Sequence, residues 1–137
     1  AASDVYKRQV YDDVLSAVIE LAEATQPYSN IIIGPMPPDN GISITWGSTA
    51  YNPFLNKLAA VELTAVLNGK HTNQQTLSEA LGNIHTALSM ATKYPAAGNY
   101  QITDITTISA PSYLGREENN QWLYGSSLRV KFFLRGI

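Results

Sequence analysis

The sequence predicts an α+β domain, with two helices packed on a mostly antiparallel sheet and a long C-terminal β-hairpin. Three observations carry this. Residues 99–135 read as a β-ribbon whose second arm alternates apolar and mostly charged side chains with the period of two that a half-buried strand requires. A third strand pattern, 58–67, shows the same alternation. Two separate stretches instead repeat apolar residues at helical spacing, and strands and helices in this order fit a layered α+β domain.

From Val10 to Ala24, Tyr11, Val14, Val18, Leu21 and Ala22 recur on one stripe, widened by Leu15 and Ile19, while Asp12, Asp13, Ser16, Glu20 and Glu23 lie mostly elsewhere. This is an amphipathic helix, and its two early aspartates complement the positive end of the helix dipole. Pro27 ends it. Ile31, Ile32 and Ile33 form a short β-branched run, Asp39-Asn40-Gly41 supplies turn chemistry, and Ile42, Ile44 and Trp46 alternate with Ser43, Thr45 and Gly47. Together they read as an edge hairpin guarded by prolines. Residues 47–56 read as a loop.

In the third strand Ala59, Val61, Leu63, Ala65 and Leu67 share a face opposite Glu62 and Thr64, and Asn68-Gly69 reads as its stop. Two capping boxes, Thr72 with Gln75 and Thr76 with Glu79, announce a helix with the stripe Leu77, Leu81, Ile84, Leu88 plus Ala80, Ala87 and Ala91. Tyr94-Pro95 ends it. In the final ribbon Tyr100, Ile102, Thr106 and Ile108 share a face of the first arm, which Pro111 closes. Asp104 falls on that face and reads either as a buried partner for an arginine or as the place where the face meets solvent. After a loop at 112–120, Leu128, Val130, Phe132 and Leu134 point inward and Arg129, Lys131, Phe133 and Arg135 outward.

The 137 residues amount to one domain, large enough to bury roughly two thirds of the unfolded surface without metals or disulfides. With 45% hydrophobic and 15% charged residues the chain is built to fold rather than to stay disordered. It has no cysteine, which excludes disulfides, thiolate metal sites and cysteine nucleophiles. No apolar run approaches the roughly 20 residues of a membrane span, so a soluble protein is expected. Asp4-Val-Tyr-Lys-Arg-Gln9 resembles the translation of a transposon end used in sequencing-library preparation. Residues 1–9 are therefore set apart as a non-native adapter scar, and 10–137 as the single domain. The formal charge of −2 would become −3 without Asp4, Lys7 and Arg8. Neither value suits a nucleic-acid binder, which needs a basic stripe.

Catalytic candidates are sparse. No HExxH, GxSxG, P-loop or GxGxxG pattern occurs, and no cofactor or metal is implied. His71 reads as part of the polar turn before the second helix and His85 as a partly exposed helix residue. Three cations on the outer strand face, Arg129, Lys131 and Arg135, read as a solvated face. The candidate functional residues are instead those of a protein-protein interface: Tyr113, Trp122 and Tyr124, aromatics of the kind that anchor interfaces, around a loop carrying Arg116, Glu117 and Glu118. Trp122 and Tyr124 would equally serve to complete the core. The loop charges read as exposed, so replacing all three by alanine should spare folding.

At this ribbon, Ser112-Tyr-Leu-Gly-Arg-Glu-Glu-Asn-Asn-Gln-Trp-Leu-Tyr124 and Leu128-Arg-Val-Lys-Phe-Phe-Leu-Arg-Gly136 resemble the C-terminus of the minor capsid or tail terminator proteins of long-tailed bacteriophages of Gram-positive bacteria. The order of elements after Val10 is similar too. The resemblance implies a non-enzymatic α+β virion subunit, assembled in the bacterial host cytoplasm. It would form a ring, a hexamer, on the end of the tail tube, stop its growth and meet the head-completion proteins. DNA would pass through without specific binding, which a net acidic subunit suits, and no membrane is involved. A ring needs two different patches per subunit, which loops at opposite ends of the ribbon would supply. Another neck component, a head-closure or adaptor protein, is the alternative within virions. A small hydrolase, requiring His71 or His85 beside carboxylates, is the alternative outside them.

Overall fold

The computed structural model describes residues 2–36, 39–53, 58–98 and 100–135. Helix α1 (Ala2–Glu23) is followed by β1 (Ile31–Ile33), β2 (Gly41–Pro53), β3 (Leu58–His71), α2 (Gln74–Ser89), β4 (Tyr100–Arg116) and β5 (Trp122–Arg135). The strands make one sheet in the order β1-β2-β3-β5-β4, antiparallel except at β1. This is the predicted α+β class with its C-terminal hairpin. Among the described residues, no helix is long and apolar enough to cross a membrane.

Both helices lie on one sheet face, and the core fills the space between. Alternation does the work on the sheet side: Val61, Leu63, Ala65 and Leu67 of β3 and Leu128, Val130, Phe132 and Leu134 of β5 are buried, as are Ile42 and Ile44 of β2. From α1 come Val14, Leu15, Ala17, Val18, Ile19 and Ala22, and from α2 come Leu77, Ala80, Leu81, Ile84 and Leu88. Tyr11 packs edge-to-face with Phe132, ring centroids 5.9 Å apart. Each fully buried aliphatic or aromatic side chain contributes about 1.5–3 kcal/mol by leaving water, so this interleaving is the main support of the fold.

Several elements depart from the sequence expectation. Helix α1 starts at Ala2 rather than Val10, because alanine, lysine, arginine and glutamine propagate a helix whatever their origin. The isoleucine run is not one arm of a hairpin: Ile31, Ile32 and Ile33 pair parallel with Ile42, Ser43 and Ile44. A three-residue strand spans only about 10 Å, so the short connection can return to its start. That return begins at Gly34, whose φ of +106° favours glycine and whose N–H donates to Ile44 O. The expected loop at 47–56 is largely strand, since β2 continues to Pro53 past a register shift between Trp46 and Thr49. Residues 54–57, Pro37, Pro38 and Gly136 lie outside the described residues, as do the side chains of Ala59 and Arg135.

Asn68-Gly69 does not stop β3, which continues in register with β2 and β5 as far as His71. Neither threonine caps α2. Asn73 does, its side-chain oxygen accepting from Thr76 N at 3.1 Å. The helix ends at Ser89, before Tyr94-Pro95 is reached. In β4 the face changes at a register shift between Ile102 and Asp104, so Ile105 is buried in place of Thr106, and Ile108 is 46% exposed. Asp104 pairs across from Lys131 on the opposite, helix-free face. Pro111 does not close the strand, because β4 is an edge where a missing N–H costs no ladder bond.

Candidate functional site

Residues 112–116, expected in a loop, are the end of β4. Ser112 lies opposite Gly125, Tyr113 opposite Tyr124 and Arg116 opposite Trp122. The turn is confined to 117–121. There Glu117 N donates to Gln121 O at 2.8 Å, Asn120 N donates to Glu117 O at 3.0 Å, and Asn120 takes the positive φ of 64° that asparagine tolerates.

This ladder gathers the interface candidates. The ring of Tyr113 lies 5.8 Å from that of Trp122 and 6.1 Å from that of Tyr124. The Arg116 guanidinium carbon stands 5.1 Å from the Trp122 ring centroid, and its Nη2 donates to Asn120 Oδ1 at 2.9 Å. Tyr124 carries its hydroxyl to the start of α2, where it accepts from Gln74 Nε2 at 2.6 Å. The aromatics divide in role: Trp122 and Tyr124 are half-buried against the core, whereas Tyr113 is 54% exposed and its neighbour Leu114 58%. Glu118 is exposed in the turn.

Glu117 is exposed, as expected, but it is not a free loop charge. It pairs with Lys70 Nζ, whose side chain is only 8% exposed. A nearly buried ammonium needs an anion, and the turn supplies it. The turn is also tied to the β1–β2 connection: Asn119 Nδ2 donates to Asp39 Oδ1 at 3.2 Å, and Asn40 N donates to the buried Gln121 Oε1 at 2.9 Å. Asn40 Oδ1 in turn accepts from Thr72 N. Asp39, Asn40, Lys70 and Gln121 thus belong to the site although sequence reasoning missed them. Their partners lie 47 to 81 positions away, and turn chemistry at Asp39-Asn40-Gly41 says nothing of such distant contacts.

The histidines do not form a hydrolytic site. His71 is the last residue of β3, not part of a turn; its Nδ1 accepts from Asn73 N and its ring makes a T-shaped contact with Tyr28, centroids 4.6 Å apart. His85 is buried rather than surface-exposed, with Nδ1 2.9 Å from Thr107 Oγ1 and Nε2 2.8 Å from Ser126 Oγ. The Ser126 pairing has the spacing of a nucleophile and its base, but Ser126 donates its proton to Leu67 O at 2.9 Å. Its lone pair therefore accepts from the imidazole, the reverse of what activation requires. Burial pushes the His85 imidazole below its ordinary 6.5. Among the described residues, no group of three or more histidines and carboxylates is placed to hold a metal.

No protein-family model and no curated protein matches the chain. Solved structures do. A chain in the structure titled "Virion of native gene transfer agent (GTA) particle" is similar to this one with a TM-score of 0.56 at 10% identity, covering 86% of this chain and 92% of that one. Identity this low carries no residue from one chain to the other. The two chains share a fold over most of their lengths, and the fold is that of a component found in a virion particle.

Proposed function

We propose that this chain is a structural virion protein that closes the end of a phage or phage-like tail tube as a ring and joins it to the head-completion proteins. The observation that carries the reading is the fold shared with a chain of a gene transfer agent virion across 86% of the sequence. The residue resemblance at 112–136 supports the tail terminator position within it. The hairpin tip offers one contact patch, with Tyr113 and Leu114 exposed beside Arg116 and Trp122, on a turn held rigid by Lys70, Asn40 and Asp39. A rigid tip loses little freedom on binding, which favours a lasting contact over a transient one. Function then rests on association, and no catalytic step is assigned.

The test uses the purified chain and a tail tube protein identified by sequencing outward from its gene in the source DNA. Electron microscopy of growing tubes should show them shorter and blunt-ended when the chain is added. Tubes that elongate unchanged would sink the tail-capping role. Binding to the portal complex instead would identify a head-closure or adaptor subunit.

A further inference from the structure

We propose that His85 is an acid-sensitive latch, fastening the distal half of the β4–β5 hairpin to α2 while its imidazole is neutral and releasing it when protonated. Three polar contacts make a directed chain. Ser126 donates to Leu67 O, so it accepts from Nε2–H; the neutral ring then leaves Nδ1 as an acceptor, which the Thr107 hydroxyl fills. One side chain of α2 thereby joins β4, β5 and, through Ser126, β3. Its position is significant. The ladder between β4 and β5 loses register just beyond Thr107, between Thr107 and Ser109 and again between Ser109 and Ser112. His85 thus grips the hairpin, at Thr107 and Ser126, where the β4–β5 ladder is interrupted.

Protonation breaks the direction of the chain. Nδ1 becomes a donor aimed at a hydroxyl that was donating to it, and a positive charge sits in a buried place with no anion bonded to it. The surrounding charges do not compensate. On β3, Glu62 and Lys70 project from the opposite sheet face, and His71, on the near face, is engaged with Asn73 and Tyr28 at the strand end. On β5, Arg129 and Lys131 share that opposite face with Glu62, and Tyr124 on the near face is bonded to Gln74. On β4, Asp104 is on the far face and Arg116 lies over Trp122. Glu79 on α2 and Asp12, Asp13 and Glu20 on α1 are exposed, and Glu23 accepts from Ile31 N. The latch is a property of the subunit alone and holds whatever the hairpin tip meets.

Nuclear magnetic resonance of the full chain tests it. At neutral pH the His85 ring should be the Nε2–H tautomer; an Nδ1–H ring overturns the directed chain. As pH falls below 6.5, protection of the amides that bond β4 to β5 within 107–113 and 123–127 should drop by about tenfold or more, while protection between β2 and β3 changes by less than about twofold. His85→Gln, neutral at every pH, should abolish this selective loss. Hairpin protection that is unchanged in acid, that falls together with the β2–β3 ladder, or that is lost equally in His85→Gln overturns the proposal. Should His85→Gln not fold, the comparison of the two ladders in the unaltered chain decides alone.

Discussion

Gly69 leaves the space that Leu77 fills: a methyl group at position 69 would stand 2.7 Å from Leu77 Cδ1, with Tyr28 Oη at 3.2 Å and Leu81 Cδ2 at 3.4 Å. Leu77 and Leu81 are fully buried, so neither can swing aside. Gly69→Ala should therefore cost about 1–3 kcal/mol, the range for overpacking a filled core. Gly125→Ala meets Leu114 Cδ1 at the same 2.7 Å and Asn68 Oδ1 at 2.9 Å, but Leu114 is exposed and Asn68 only partly buried, so these side-chain ends have room to shift. Urea unfolding of the two variants should separate them clearly, with Gly125→Ala the milder.

Glu117→Ala should destabilise by roughly 1–3 kcal/mol, because it strands the Lys70 ammonium under the turn. Glu118→Ala should change stability by less than about 0.5 kcal/mol. Adding Lys70→Met to Glu117→Ala should recover much of the loss, since an apolar side chain leaves no buried charge in need of a partner. The same urea midpoints measure all of these, and a Glu117→Ala variant as stable as the parent chain would show that water replaces the carboxylate.

Replacing the α2 cap, Asn73→Ala, should cost about 1 kcal/mol through the lost bond to Thr76 N. Thr72→Ala should be close to neutral, since its side chain is exposed and outside the cap. Thermal melts of the two would reverse in order if Thr72 were the true cap.

Tyr28 joins the ends of two strands, its one hydroxyl proton shared between Gly41 O at 2.8 Å and Lys70 O at 2.9 Å. Burial pushes the phenol well above its ordinary 10. A raised phenol contributes stability that is complete below pH 10 and lost as pH climbs toward the folded-state value, because the unfolded chain then releases its proton first. Tyr28→Phe should cost about 1 kcal/mol at neutral pH and lessen the alkaline loss. Tyr94 and Tyr100, also raised by burial, would supply what remains. Denaturant midpoints at pH 8 and about pH 10.5 check both parts.

Periodicity made most of the fold legible. The inward faces of β3 and β5 and the stripes of both helices need no partner to be recognised, since alternation and helical spacing are local properties. What escaped was set by contacts between distant positions. Asn68-Gly69 has turn chemistry, yet position 69 is glycine because α2 packs on it. Ile108 keeps the alternation of Tyr100 and Ile102, but a single irregularity beside Thr103 reverses the faces after it. At the hairpin tip the aromatic and charged residues were visible as types, whereas the pairing of Glu117 with Lys70 was not. His85 sits on the apolar stripe beside Ile84, and only hydroxyls from two other elements make its burial tolerable.

The broken register of β4 bears on how one subunit can meet another. The segment 95–97 bonds to the start of this edge, through Ala97 N to Tyr100 O and Ile102 N to Pro95 O. Farther along, pairing with β5 never continues for more than four consecutive residues, and Pro111 offers no donor. A strand arriving from outside would find donors and acceptors out of step, so zipper-like fusion of one sheet into the next is discouraged here. Anything that docks on this flank meets the shape of its side chains rather than a continuous backbone ladder.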